Sequence, residues 1–148
     1  MKRIVFLMLS VVAVFSAAAS TTRPVTGTVI NPTDSCIQYV GRICFSNPMR
    51  PRFTFPGTQI IARFTGTSLK MMAKPRSGYF MAQIDGAEPF KVSFMGERDS
   101  VVTLATALPQ GCHDMRLMYV IEGYELKPDF RGFVLDAGAK LLPAPALP

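Results

Sequence analysis

Glycine and proline are what most constrain this chain. Its 11 glycines and 12 prolines all fall after residue 19, and they cut the remainder of the chain into short segments. Between the breaks, apolar and polar residues alternate with the period of a half-buried strand. Gln59 to Phe64 places Ile60, Ala62 and Phe64 on one face. Ser68 to Ala73 is a second run, and Tyr79 to Ile84 aligns Phe80, Ala82 and Ile84. Asp85-Gly86 is a strong turn signal. Phe90, Val92 and Phe94 alternate with Lys91 and Ser93, and Met115, Leu117, Tyr119 and Ile121 repeat the pattern. Phe130 to Leu135 and Lys140 to Leu142 close the series.

One stretch fits two periods. Val101, Leu104, Ala105 and Leu108 match a helical stripe, whereas Val102, Leu104, Thr106 and Leu108 match a strand. The β-branched Val101, Val102, Thr103 and Thr106 decide for the strand. The expectation is an all-β domain of eight or nine strands, folded as a two-sheet β-sandwich of jelly-roll type. At 148 residues the chain has room for one such domain.

The ends differ in kind from the middle. Lys2 and Arg3 precede an apolar run from Ile4 to Phe15, and Ser16-Ala17-Ala18-Ala19 comes after it. This is the pattern of a secretory signal peptide over residues 1–19; the apolar run is too short for a membrane span of about 20 residues. The sandwich then occupies residues 20–142, and residues 143–148 form a proline-rich tail. Alternating proline makes an extended, semi-rigid linker, so a further domain is expected beyond it. The protein is expected to be bacterial and secreted or periplasmic, with no membrane attachment after cleavage. The formal charge of +6 loses two basic residues with the signal, and acids and bases are interspersed. No nucleic-acid-binding signature emerges; Arg50 and Arg52, flanking Pro51, read as a solvated loop.

A search for reactive groups finds little. The cysteines are Cys36, Cys44 and Cys112, an odd number. Cys36 and Cys44 can pair only if the chain reverses between them, for instance near Gly41, and their spacing with His113 fits no usual zinc pattern. The sole histidine lies in Gly111-Cys112-His113-Asp114. On a strand, Cys112 and Asp114 share one face and His113 points to the other, so the three do not form a catalytic set. A histidine bonded to a backbone group is the expectation. Neither Asp34-Ser35 nor Asp99-Ser100 is preceded by glycine, and no Gly-x-Ser-x-Gly elbow or phosphate loop is present. Tyr39, Tyr79, Tyr119 and Tyr124 could stack on sugars, and so could an exposed Phe, but most of them sit at alternating strand positions that favour core packing. No metal or cofactor is expected.

The order of short motifs carries more. Tyr39-Val40-Gly41-Arg42 comes first, then Phe53-Thr54-Phe55-Pro56-Gly57-Thr58 and Phe64-Thr65-Gly66-Thr67-Ser68-Leu69. Ile84-Asp85-Gly86, Gly111-Cys112-His113 and Phe130-Arg131-Gly132-Phe133-Val134-Leu135 complete the set. The series, spanning about Tyr39 to Pro143, resembles the N-terminal domain of carbohydrate esterase family 2, secreted bacterial deacetylases of plant polysaccharides such as acetylated xylan. The resemblance implies a jelly roll followed by an SGNH esterase domain that carries the nucleophilic Ser and the His. It transfers no catalytic residue to this chain and assigns no carbohydrate-binding residue. Gly57, Gly66 and Gly86 suit tight turns, Arg42 holds a loop or a domain interface, and Phe55 stands where Trp is common in the family. The implied function is a non-catalytic domain that packs against or assists an esterase domain; the alternative is a stand-alone carbohydrate-binding module.

Overall fold

The computed structural model describes residues 26–122 and 125–146. Ten strands run in order: β1 (Thr28–Ile30), β2 (Gln38–Val40), β3 (Gln59–Gly66), β4 (Leu69–Ala73), β5 (Gly78–Ile84), β6 (Phe90–Phe94), β7 (Val101–Ala105), β8 (Gly111–Tyr119), β9 (Phe130–Leu135) and β10 (Leu141–Leu142). One sheet has the order β1-β9-β4-β7; the other has β10-β3-β8-β5-β6, with β2 also paired to β3. Every pairing is antiparallel. From β3 to β10 the chain changes sheet at every connection except β5 to β6. Without the edge pieces β2 and β10, four strands face four in the jelly-roll arrangement.

The expected strands are present, with corrections at their limits. β6 and β9 have the expected bounds, and β8 begins at Gly111, four residues before the expected start. Residues 101–105 form a strand whose inward residue is Leu104, while Val101 is exposed. It stops short of Leu108 because Ala107 adopts a φ of 55°; Leu108 N–H then donates to Thr67 O. Phe90 is 37% exposed rather than on a buried face, because it opens the edge strand β6. β1 and β2 were not expected: three residues are too few for alternation to register. Asp85 and Gly86 both take positive φ, and Ala87 N–H donates to Ile84 O, giving the type I′ turn that Asp-Gly predicts. The signal-peptide reading of residues 1–19 falls outside the described residues.

The inner rows of the two sheets form one core. In β5, Phe80, Ala82 and Ile84 are buried while Tyr79, Met81 and Gln83 face outward. Rings run through this core in edge and tilted contacts: Phe94 meets Phe80 at 5.9 Å, Phe80 meets Tyr119 at 5.3 Å, and Tyr119 meets Phe53 at 5.3 Å. Phe53 belongs to no strand. It drops from the long β2–β3 connection into one end of the sandwich and is 3% exposed.

Two tight places hold the layers in register. β9 carries one extra residue opposite β4, between Gly132 and Phe130, and Gly132 takes a φ of 109° beside it. A Cβ at Gly132 would lie 2.0 Å from Ile30 O of β1, so no larger residue fits without parting the strands. At the opposite end from Phe53, the Asp136 carboxylate closes the β3–β4 crossover. It accepts from Thr67 N at 2.6 Å, Thr67 Oγ1 at 2.9 Å and Ser68 N at 3.0 Å, and from Ser68 Oγ. The Ser68 hydroxyl, followed by the Thr67 donors, pulls this carboxylate down to about 2.

Gly132→Ala is expected to lower the unfolding free energy by about 2–4 kcal/mol, through the close approach and the positive φ together; a urea midpoint near wild type would contradict this. Asp136 has its folded pKa below its unfolded value, so its contribution is complete above about pH 4 and is lost as pH falls toward 2. Stability should therefore fall across that window in the parent protein. Asp136→Asn should be less stable at pH 7 and show a shallower decline, as measured by denaturant unfolding at stepped pH.

Candidate functional site

The β2–β3 connection, residues 41–58, builds a concave feature. Phe53 anchors it. Cys44 N–H donates to Arg52 O at 2.8 Å and Arg52 N–H donates back to Cys44 O at 3.0 Å, so the excursion folds on itself as a short ribbon. Arg52 also bridges to Asp129, and Phe130 N–H donates to Pro51 O at 3.0 Å, which ties the ribbon to the start of β9. The buried Asp129 carboxylate is itself paired, 2.9 Å from Arg131 Nε. The ribbon is thus a fixed part of the sandwich.

An open groove of about 620 Å³ lies against it. Ile43, Phe53 and Phe55 supply apolar surface, and the side chains of Arg42, Arg52 and Lys127 stand around it. Among the described residues, no carboxylate lines it. Arg42 lies over the Phe55 ring, 5.3 Å from its centroid. Phe45, Met49 and Phe55, all on this connection, are each nearly half exposed. Cys44 opens into the same groove. The Ser46 hydroxyl, 3.3 Å from its sulfur, and then the Arg52 charge hold the thiol below its ordinary range.

The Cys112-His113-Asp114 sequence is spread apart, as strand geometry requires. His113 is buried at 6% exposure. Its Nε2 lies 2.8 Å from Pro109 O and its Nδ1 lies 2.6 Å from Asp85 Oδ2. The backbone bond matches the expectation; the Asp85 partner was missed, because a contact between β8 and the β5–β6 turn leaves no local signature. Two acceptors mean that both ring nitrogens donate. The Asp85 hydrogen bond raises the imidazole above its usual value and favours the cation. Asp114 faces outward in a two-point pair with Arg63, at 2.6 and 2.9 Å, which lowers its carboxyl.

The other candidates separate likewise. Cys36, Cys44 and Cys112 are free thiols. The chain reverses between Cys44 and Arg52, at residues 47–50, and not between Cys36 and Cys44, so Cys44 lies against Arg52. No cluster able to hold a metal ion occurs among the described residues. Tyr119 is fully buried, and Tyr39 donates to Pro32 O while packing edge-on to Phe130. Tyr79 is on an outer face, but Lys91 Nζ sits 3.7 Å from its ring centroid. Tyr124 is outside the described residues. Of the groove residues, Arg42, Arg52 and Phe55 drew attention in the sequence as a loop or interface arginine, a solvated loop and a replaced tryptophan. The usable signal was that Tyr39–Arg42 and Phe53–Thr58, far apart as motifs, close on the same groove.

Comparison with known proteins agrees with this architecture. Residues 39–145 match the family described as "Carbohydrate esterase 2 N-terminal". A cellulase/esterase CelE of Acetivibrio thermocellus is 33% identical over 112 residues, covering 74% of this chain and 13% of that protein. A family two carbohydrate esterase from Clostridium thermocellum, solved in complex with cellohexaose, superposes with a TM-score of 0.61 at 33% identity, covering 74% of this chain and 34% of that one. The fold also recurs in a family two carbohydrate esterase from Cellvibrio japonicus, with a TM-score of 0.72 at 21% identity over 83% of this chain and 37% of that one. The chain thus spans a small part of its curated relative and about a third of these solved chains. It belongs to carbohydrate esterase family 2, as the N-terminal β-sandwich domain of that family.

Proposed function

We propose that this chain is a non-catalytic accessory domain of an exported polysaccharide deacetylase, and that it works by packing against an SGNH esterase domain. The observation that carries the reading is the state of His113. Ester hydrolysis of this kind needs a base whose free nitrogen reaches a nucleophile at about 3 Å. The sole histidine has both nitrogens engaged and is buried. The match to the N-terminal part of the family and the exposed Phe45, Met49 and Phe55 support the same reading, since an apolar patch of this kind suits a domain interface. Of the relatives, the Clostridium thermocellum esterase is described in complex with cellohexaose; a plant polysaccharide is accordingly the substrate class proposed for the assembled enzyme. A stand-alone glycan-binding role gains less support from the tyrosines, because Tyr119 is fully buried, Tyr39 packs edge-on to Phe130 and Tyr79 carries Lys91 against its ring.

The purified chain should release no acetate from acetylated xylan or from 4-nitrophenyl acetate above the uncatalysed rate, and His113→Asn should change nothing in that assay. Turnover abolished by His113→Asn would overturn the proposal. The same residue should instead appear in stability. Its folded pKa is raised, so its contribution is complete below the unfolded value near 6.5 and is lost as pH rises through the folded value. His113→Asn should flatten that part of the stability profile. Mass spectrometry of the exported protein should find Ser20 as its first residue.

A further inference from the structure

We propose that the groove beside the β2–β3 connection is the docking surface for the esterase domain, and that the element it receives is apolar at its tip and acidic at its flanks. This deepens the function proposed above and rests on it. The argument is one of charge. Arg42, Arg52 and Lys127 stand around the groove and, among the described residues, no carboxylate lines it. Asp129, on the tied segment, is buried and already paired with Arg131. The three cations are left for an incoming anion, while Ile43 and Phe55 offer contact to an apolar side chain.

A second copy of this chain is a poor occupant. A two-fold contact would bring the cations of one groove against those of the other. The surface is also preformed, since Phe53, Pro51 and the Cys44–Arg52 ribbon hold the connection in place. A partner therefore meets a fixed shape and does not have to order a loop on binding.

Cys44 makes the test direct. It lies in the groove, whereas Cys112, also exposed, starts β8 at the opposite end of the sandwich. Residues 26–146 would replace the matched third of the Clostridium thermocellum family two esterase. Iodoacetamide alkylation at each cysteine would then be followed by peptide mass spectrometry, in the chimera and in the unfused chain. The expected result is one cooperative melting transition, with Cys44 alkylated about tenfold more slowly in the chimera and Cys112 unchanged. Arg42→Glu with Lys127→Glu should restore Cys44 reactivity in low salt, while the same variant of the unfused chain melts as the parent does.

One transition with Cys44 as reactive as before would overturn the groove assignment and leave the accessory-domain reading standing. Two transitions, with this portion melting as it does alone, would overturn both. Slow Cys44 alkylation that survives the double charge reversal would overturn the acidic character of the partner element. Protection of Cys44 in the unfused chain by anionic phospholipid vesicles, at physiological salt, would likewise count against a protein occupant.

Discussion

The burial of two inner sheet faces against each other is the constraint on which the rest depends. Each strand can hide only every second side chain, so neither layer is stable alone and both need the other. Here the shared interior is built largely from rings. Phe94, Phe80, Tyr119 and Phe53 touch in succession along one half of it, and Phe130 meets Phe133 at 4.9 Å in the other. Because Phe53 is the last of the first series, the core extends beyond the strands and takes hold of a connecting segment. A loop of this length would ordinarily be mobile surface; here it is continuous with the interior.

That continuity lets one connecting segment serve both the core and the groove. The same segment that buries Phe53 presents Phe55 outward two residues later, with Arg52 on its other side. Alternation along the chain divides one short stretch between core and groove. The opposite end of the molecule is organised by carboxylates: Asp136 gathers the β3–β4 turn, and Asp85 holds both His113 and the Asp114 backbone N–H. The polar clusters that look like reactive sites in the sequence tie separate turns and strands together. A protonated imidazole between a carboxylate and a carbonyl is a good tie and a poor base.

Much of the architecture was legible in the residues. The buried rows of β3, β5 and β8, the Asp85-Gly86 turn and the strand at 101–105 all come from period and turn chemistry. The features that escaped share a physical cause, which is that the information is not local. β1 and β2 are too short to show a period and exist because longer strands offer them an edge. The Asp85 partner of His113 and the Asp129 partner of Arg52 come from distant turns. The groove was visible only as two motifs with no stated relation, since a concave surface made of 41–44, 52–55 and 127 has no signature in any one of them. The separation of Cys112, His113 and Asp114, by contrast, needed only the pleat of a strand and was readable at once.

The way β2 and β10 share β3 has a consequence for how the molecule meets copies of itself. β2 covers Gln59–Ile61 and β10 covers Arg63–Phe64, so the long central strand is sealed along its length. β1 is three residues long and is soon followed by Pro32, and β6 points Lys91 outward; both features discourage strand addition. Among the described residues the other border is β7, where Val101 and Val102 sit in a β-branched run without a charge. Amyloid-like polymerisation of this sandwich would therefore begin at β7, and a single lysine placed there would act as a gatekeeper.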